Sequence, residues 1–303
     1  MKQRISIICT IVMMVLLVFG CGPKQLGTTG ATHQVTDGAG VAVTIPSEPK
    51  RIVPIAASTE DIVLSLVDPS RVAAVGTVPN NVPDASAKVE KHVKASAESM
   101  LSVQPDLVLV PNWMSPDAIG EMRNMQIPVY VYKTPTTVKE AKATIHEIAG
   151  LLHASDESMI ASMDADLKTV EELANKHSGE RPLVAFYSQF GLTGGKGSTF
   201  DDMCNYLKVN NAAAQIGLGP FDNGTREDLI KSNPDIIFIP SVAYTSDGTT
   251  PATAEQLYSD PALQGVKAIA NRHVYLVDSS QVMSYSQFMT RAMVSMAQNI
   301  YSM

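Results

Sequence analysis

Two α/β lobes with parallel-rich sheets, joined by one long α-helix, are what this sequence predicts, and three observations predict it. Short apolar runs alternate with helical patterns along the chain, as in "RIVPIA", "PDLVLVP", "IPVYVYK", "PLVAFYS", "PDIIFIP" and "HVYLVDS". Runs of four to six apolar residues between helices indicate parallel strands covered on both faces. The order of elements then repeats, most closely at "VQPDLVLVP" (103–111) and "SNPDIIFIP" (232–240). Between the two series lies "SDESMIASMDADLKTVEELANKHSGE", in which Met159, Ile160, Met163, Leu167, Val170 and Leu173 mark one apolar stripe. About 23 residues at ~1.5 Å rise give a helix of roughly 35 Å, long enough to brace two lobes while allowing little hinge motion.

In chain order, Lys2 and Arg4 precede an apolar stretch from Ile5 to Phe19 and then "VFGC". This is a signal peptide over residues 1–20, too short for a confident spanning helix. Its ending resembles a bacterial lipoprotein signal, which implies Cys21 as the acylated first residue and a lipid anchor on the outer side of the cell membrane. Residues 21–34 read as a tether. The N-terminal lobe is expected over 35–153, the connecting helix over 154–178 and the C-terminal lobe over 179–303. "HQVTDGAGVAVTIP" reads as a hairpin around Asp37-Gly38, "TEDIVLSLV" and "PDAIGEMRNM" as helices, and "RVAAVG" as a further strand. Ser58-x-x-Asp61 and Thr225-x-x-Asp228 read as capping boxes opening helices.

Charge and cysteine content exclude several classes. Removal of Lys2 and Arg4 with the signal leaves 21 Lys+Arg against 30 Asp+Glu, a net charge of −9 that argues against nucleic acid. Cys204, in the helix-like "FDDMCNYL", has no partner but Cys21, so neither a disulfide nor a cysteine metal cage is expected. The six histidines show no paired spacing, which disfavours bare zinc or manganese. "FGLTGGKGSTF" (190–200) fails as a phosphate loop, because Phe190 occupies the first glycine position and Gly197 follows Lys196. No nucleophile elbow, H-E-x-x-H or Cys-His pairing occurs, so no enzyme is predicted. Met289, Met293 and Met296 recur at helical spacing and read as core.

In open α/β sheets ligands bind beyond the carboxyl ends of the strands, so the loops there are the candidate cleft. They carry Trp113 and Met114 in "VPNWMSP", Tyr187, Gln189 and Phe190 after "LVAF", Tyr244, and Tyr285. Aromatic residues outside apolar runs suit a large ring-bearing ligand.

Lipoprotein signal, two α/β lobes and a single connecting helix together resemble the class III substrate-binding proteins of bacterial ABC importers. The resemblance spans the mature chain through "PKRIVPIAASTEDIVLSL", "QPDLVLV" and "TREDLIKSNPDIIFI". It implies Rossmann-like lobes, no cofactor, and a transported cobalamin or other corrinoid, an iron–siderophore complex or haem. It also implies a monomer that meets a permease dimer with its ATPase subunits. One exposed glutamate per lobe would contact permease arginines, and by motif position these fall on Glu60 and Glu227. Haem-binding members commonly place a Tyr in the loop after the second strand, and "GTVPNNVPD" has none. With seven arginines in the mature chain, a strongly anionic catecholate is also disfavoured. The cleft therefore favours a corrinoid, with a neutral siderophore as the alternative.

Overall fold

A computed structural model describes residues 31–76, 81–241 and 253–302. The expected signal, Cys21, most of the tether, most of the Thr77–Asn81 loop and Tyr244 lie outside the described residues.

The chain opens with the hairpin, β1 (Thr32–Thr36) antiparallel to β2 (Ala42–Pro46), with Thr36 opposite Ala42. Asp37 organises the turn: its Oδ1 accepts from Ala39 N and Val41 N, 2.9 Å each, and its buried carboxylate pairs with Arg123. Gly38 lies so close to the first sheet that a Cβ would stand 2.9 Å from Val131 O and Lys133 N.

The first sheet is three parallel strands in the order β3 (Ile52–Pro54), β4 (Leu107–Pro111), β5 (Val129–Tyr132). Around it lie α1 (Ala57–Leu66), α2 (Pro83–Ser86), α3 (Ala97–Val103), α4 (Pro116–Asn124) and α5 (Val138–Leu152). "RVAAVG" is not a strand. Val72 bridges Ile52 while Val75 bridges His92, so the segment changes partner before a ladder can form.

The connecting helix α6 runs Glu157–Lys176, 20 residues and thus about 30 Å. The second sheet follows: β6 (Leu183–Ser188), β7 (Gly191–Thr193), α7 (Thr199–Tyr206), β8 (Asn210–Asn211), α8 (Ala212–Gln215), α9 (Arg226–Ser232), β9 (Ile236–Pro240), α10 (Ala254–Ser259), α11 (Lys267–Ala270), β10 (Val274–Val277), α12 (Ser279–Val282) and α13 (Met289–Tyr301). Its order is β10-β9-β6-β7, parallel except for β7, with β8 also pairing with β6. The sequence reading missed β7 and β8, which are too short to show a period.

Alternation within the strands builds the core. Leu107, Leu109, Tyr130 and Tyr132 of the first sheet share a cluster with Val184, Phe186, Ile236 and Phe238 of the second. Ile145 and Ile148 of α5, Met163 and Val170 of α6, and Met289, Met293 and Met296 of α13 complete it. The opposite faces are separate: Val108, Val110, Val129 and Val131 pack in one outer core, Ala185, Ile237 and Ile239 in the other. One core is thus continuous through both lobes, and the methionine stripe lies within it. Among the described residues, no helix is long and apolar enough to cross a membrane.

Candidate functional site

The carboxyl ends of β4, β5, β6, β9 and β10 carry the loops expected to hold a ligand. In the first lobe, Pro111 ends β4, Asn112 N–H donates to Tyr132 O, and Trp113 then projects with 61% of its surface exposed. Met114 does not join it. The turn closed by Met114 N–H to Pro111 O sends that side chain, 7% exposed, into the outer core of the first lobe, so Met114 is corrected from ligand contact to core.

In the second lobe, Ser188 and Gly191 pair across the β6–β7 hairpin, leaving Gln189 and Phe190 as its two-residue tip. Phe190 is 48% exposed. Tyr187, one residue before this pair, is half-buried against the outer core and near the Arg226–Asp260 ion pair, and burial raises its hydroxyl pKa. A further aromatic was missed by the sequence reading. Phe221, 89% exposed, sits in "GPFDNG", outside any apolar run, as Trp113 does. Its loop is fastened to the hairpin by Leu192–Gly224 hydrogen bonds of 3.0 and 2.8 Å and by Lys196 N–H to Leu218 O at 2.8 Å. Phe190 and Phe221 therefore stand on adjoining loops.

Tyr285 belongs to a seam between the lobes. Its hydroxyl lies beside Trp113 and 3.1 Å from that of Tyr132, which in turn is 2.6 Å from Thr59 Oγ1. The Tyr132 and Tyr285 rings meet edge-on at 6.3 Å, and burial pushes both hydroxyl pKa values up. Ser58 and Asp61 are in this seam too. Ser58 Oγ is 3.1 Å from Ser284 Oγ and accepts from Tyr285 N–H. Asp61 accepts from Asn81 N–H, Asn81 Nδ2 and Ser286 Oγ, at 2.6, 2.8 and 3.0 Å. Gln287 Nε2 donates to the Asp61 backbone carbonyl and to Ser65 Oγ. The expected Ser58–Asp61 capping box is therefore absent: α1 opens from Ala56 with no side-chain cap, and both residues bind the opposite lobe instead. The Thr225–Asp228 box is present, with both of its reciprocal bonds formed.

Glu60 requires the same kind of correction. It is only 1% exposed, and its Oε1 accepts from Gly76 N–H at 2.7 Å, so it fastens an internal loop rather than offering a charge outward. The counterpart of Glu227 in the first lobe is Glu98. Ser96 and Thr225 cap α3 and α9 by accepting from the third helical N–H, and Glu98 and Glu227 follow as the second helical residue. Both helices end on a left-handed residue with φ 47°, Gln104 and Asn233, and both continue through Pro-Asp into a parallel strand. Glu98 and Glu227 are exposed. The signal was in the sequence: extending the "QPDLVLV"–"NPDIIFI" echo a few residues back aligns Glu98 with Glu227.

Two α/β lobes on one shared core, with exposed aromatics at the strand ends, form the architecture of a binding protein. Residues 52–281 match the model of the periplasmic binding protein family, and the chain belongs to that family. It is 27% identical to YvrC of Bacillus subtilis, described as an uncharacterized ABC transporter substrate-binding lipoprotein, over 99% of this chain and 98% of that one. It is 23% identical to a cobalamin-binding protein of Halobacterium salinarum, over 86% of this chain and 72% of that one. The fold matches that of the periplasmic heme-binding protein RhuT from Roseiflexus sp. RS-1 in apo form, with a TM-score of 0.70, 20% identity and coverage of 84% and 98%.

Proposed function

We propose that this protein captures a corrinoid of the cobalamin type between its lobes and delivers it to an ABC importer. The observation that carries the reading is the set of exposed aromatics beyond the strand ends, Trp113 on one lobe and Phe190 with Phe221 on the other. Large ring faces offered to solvent cost free energy unless a partner covers them, and a broad macrocycle gives such rings a face or edge to pack on. Tyr285, beside Trp113, supplies a hydroxyl at the same end. The names of the relatives support the class of cargo, a metal-bearing macrocycle or chelate.

Delivery is assigned to Glu98 and Glu227, one per lobe, each set to meet an arginine of one permease subunit. Charge pairing of this kind fixes orientation and encounter rate more than affinity. Acylation at Cys21 holds the protein at the membrane surface, where a monomer suffices.

The test is quenching of Trp113, the single tryptophan, by cobalamin, cobinamide, haem, ferrichrome and ferric catecholates. Saturable quenching by the two corrinoids is expected. Quenching by ferrichrome alone favours the neutral siderophore, and quenching by only haem or a catecholate overturns the reading.

A further inference from the structure

Gln189 stands at the tip of the β6–β7 hairpin with both ends of its amide, Oε1 and Nε2, buried and without a hydrogen-bond partner. A buried amide that bonds to nothing costs stability, because it has surrendered water and gained no replacement. Among the described residues five buried side-chain atoms are in this condition. Arg123 Nε belongs to α4; the other four belong to Thr134, Gln189 and Gln287, which follow β5, β6 and β10 respectively. Thr134 and Gln189 thus carry unpaired atoms just beyond the carboxyl ends of β5 and β6, one in each lobe, where the ligand is proposed to enter, whereas Gln287 lies beyond α12 and is held to α1 by its Nε2. Apart from these five atoms, buried side-chain polar groups among the described residues are paired, as for Asp37, Asp61 and Asn211.

We infer that Gln189 is a specificity residue that reads a carboxamide on the cargo. An amide with a free donor and a free acceptor is complemented by a group that also presents both. A second carboxamide does so with two parallel hydrogen bonds, whereas a carboxylate offers only acceptors and leaves the Gln189 carbonyl unpaired. Phe190, the other tip residue, is half-exposed, so the hairpin end already borders solvent. Turning the Gln189 side chain outward breaks no hydrogen bond, since it makes none inward. This inference rests on the corrinoid reading, because the corrin ring is rimmed by carboxamide side chains, and it says which part of that ligand is recognised.

The experiment compares wild type, Gln189→Met and Gln189→Glu by Trp113 quenching against two corrinoids. One carries its peripheral groups as amides (cobyric acid), the other as carboxylates (cobyrinic acid). Wild type should prefer the amide form by at least about tenfold, since an unmatched buried polar group is what such a site rejects most strongly. Gln189→Met should lose most of that preference by weakening amide binding about tenfold, with carboxylate binding changed by no more than about twofold. Gln189→Glu should weaken the carboxylate form further, through like charge. Ligand-free Gln189→Met should also melt higher than wild type, which a merely structural glutamine would not do. Amide binding unchanged in Gln189→Met, or a lower melting temperature, overturns this inference and leaves the corrinoid reading standing. Failure of wild type to bind either corrinoid overturns both.

Discussion

Replacing Asp61 with Asn should change how stability depends on pH. The carboxyl is fully buried where the lobes meet, and desolvation raises its pKa from an ordinary 3.8 to about 6. Hydrogen bonds from the Asn81 side chain and backbone and from Ser286 pull it down without cancelling burial, and Asp278 adds a smaller upward push. Because the folded value exceeds the unfolded one, the folded chain holds the extra proton between them. The stabilisation from this proton is fully present below about pH 4 and is lost as pH rises through about 6. A difference of about two pH units between folded and unfolded titration corresponds to about 3 kcal/mol at neutral pH. Asn at this position carries no charge, although its Nδ2 would face the Asn81 Nδ2 donor; that offset is the same at every pH. Urea unfolding followed by circular dichroism should therefore show the mutant gaining on wild type by about 3 kcal/mol from about pH 4 to about pH 8. Parallel curves, or a mutant that loses ground as pH rises, would refute the reasoning.

Charge reversal at Glu98 and Glu227 together should abolish importer-stimulated uptake in reconstituted vesicles while ligand affinity stays within about twofold, since both are exposed residues in the first turn of their helices. Reversal at Glu60 should instead lower the melting temperature, through loss of its bond to Gly76. Gly191→Ala should destabilise by at least about 3 kcal/mol, because φ is +95° and a Cβ would stand 2.1 Å from Gly224 O. At Gly40, with φ +78° and open space, the same change should cost about 1 kcal/mol; both are read from thermal melts. The radius of gyration from solution scattering should hardly change on ligand binding, since the core runs uninterrupted between the lobes.

The sheets were legible because β3, β4, β5 and β9 are short apolar runs buried on both faces, and the repeat of strand after helix survives in the residues. "RVAAVG" misled because its apolar content matches a strand, while its pairing is decided by partners that change at Val72 and Val75. The resemblance of "STED" to "TRED" suggested a shared role. Yet local chemistry differs: Thr225 and Asp228 bond each other, whereas Ser58 and Asp61 bond residues 226 and 225 positions away. Contacts of that separation leave no periodicity to read. Trp113, Phe190 and Phe221 could all be found by one rule, an aromatic set among turn residues, and only consistent use of that rule would have included Phe221.

The shared core also bears on how the chain reaches its native state during synthesis. Strands β3 to β5 are made early with α1, which packs on β3 and β4, but the cluster they join also takes in α6 and α13, the last helix to leave the ribosome. The first lobe can therefore begin to cover Leu107 and Leu109 with its own α1, while the contact of Tyr132 with Tyr285 waits for the end of the chain. A chain truncated before Met289 lacks α13 and with it Met289, Met293 and Met296 of the shared core. Completion of the shared core is thus the last step of assembly, because its final helix is the last element synthesised.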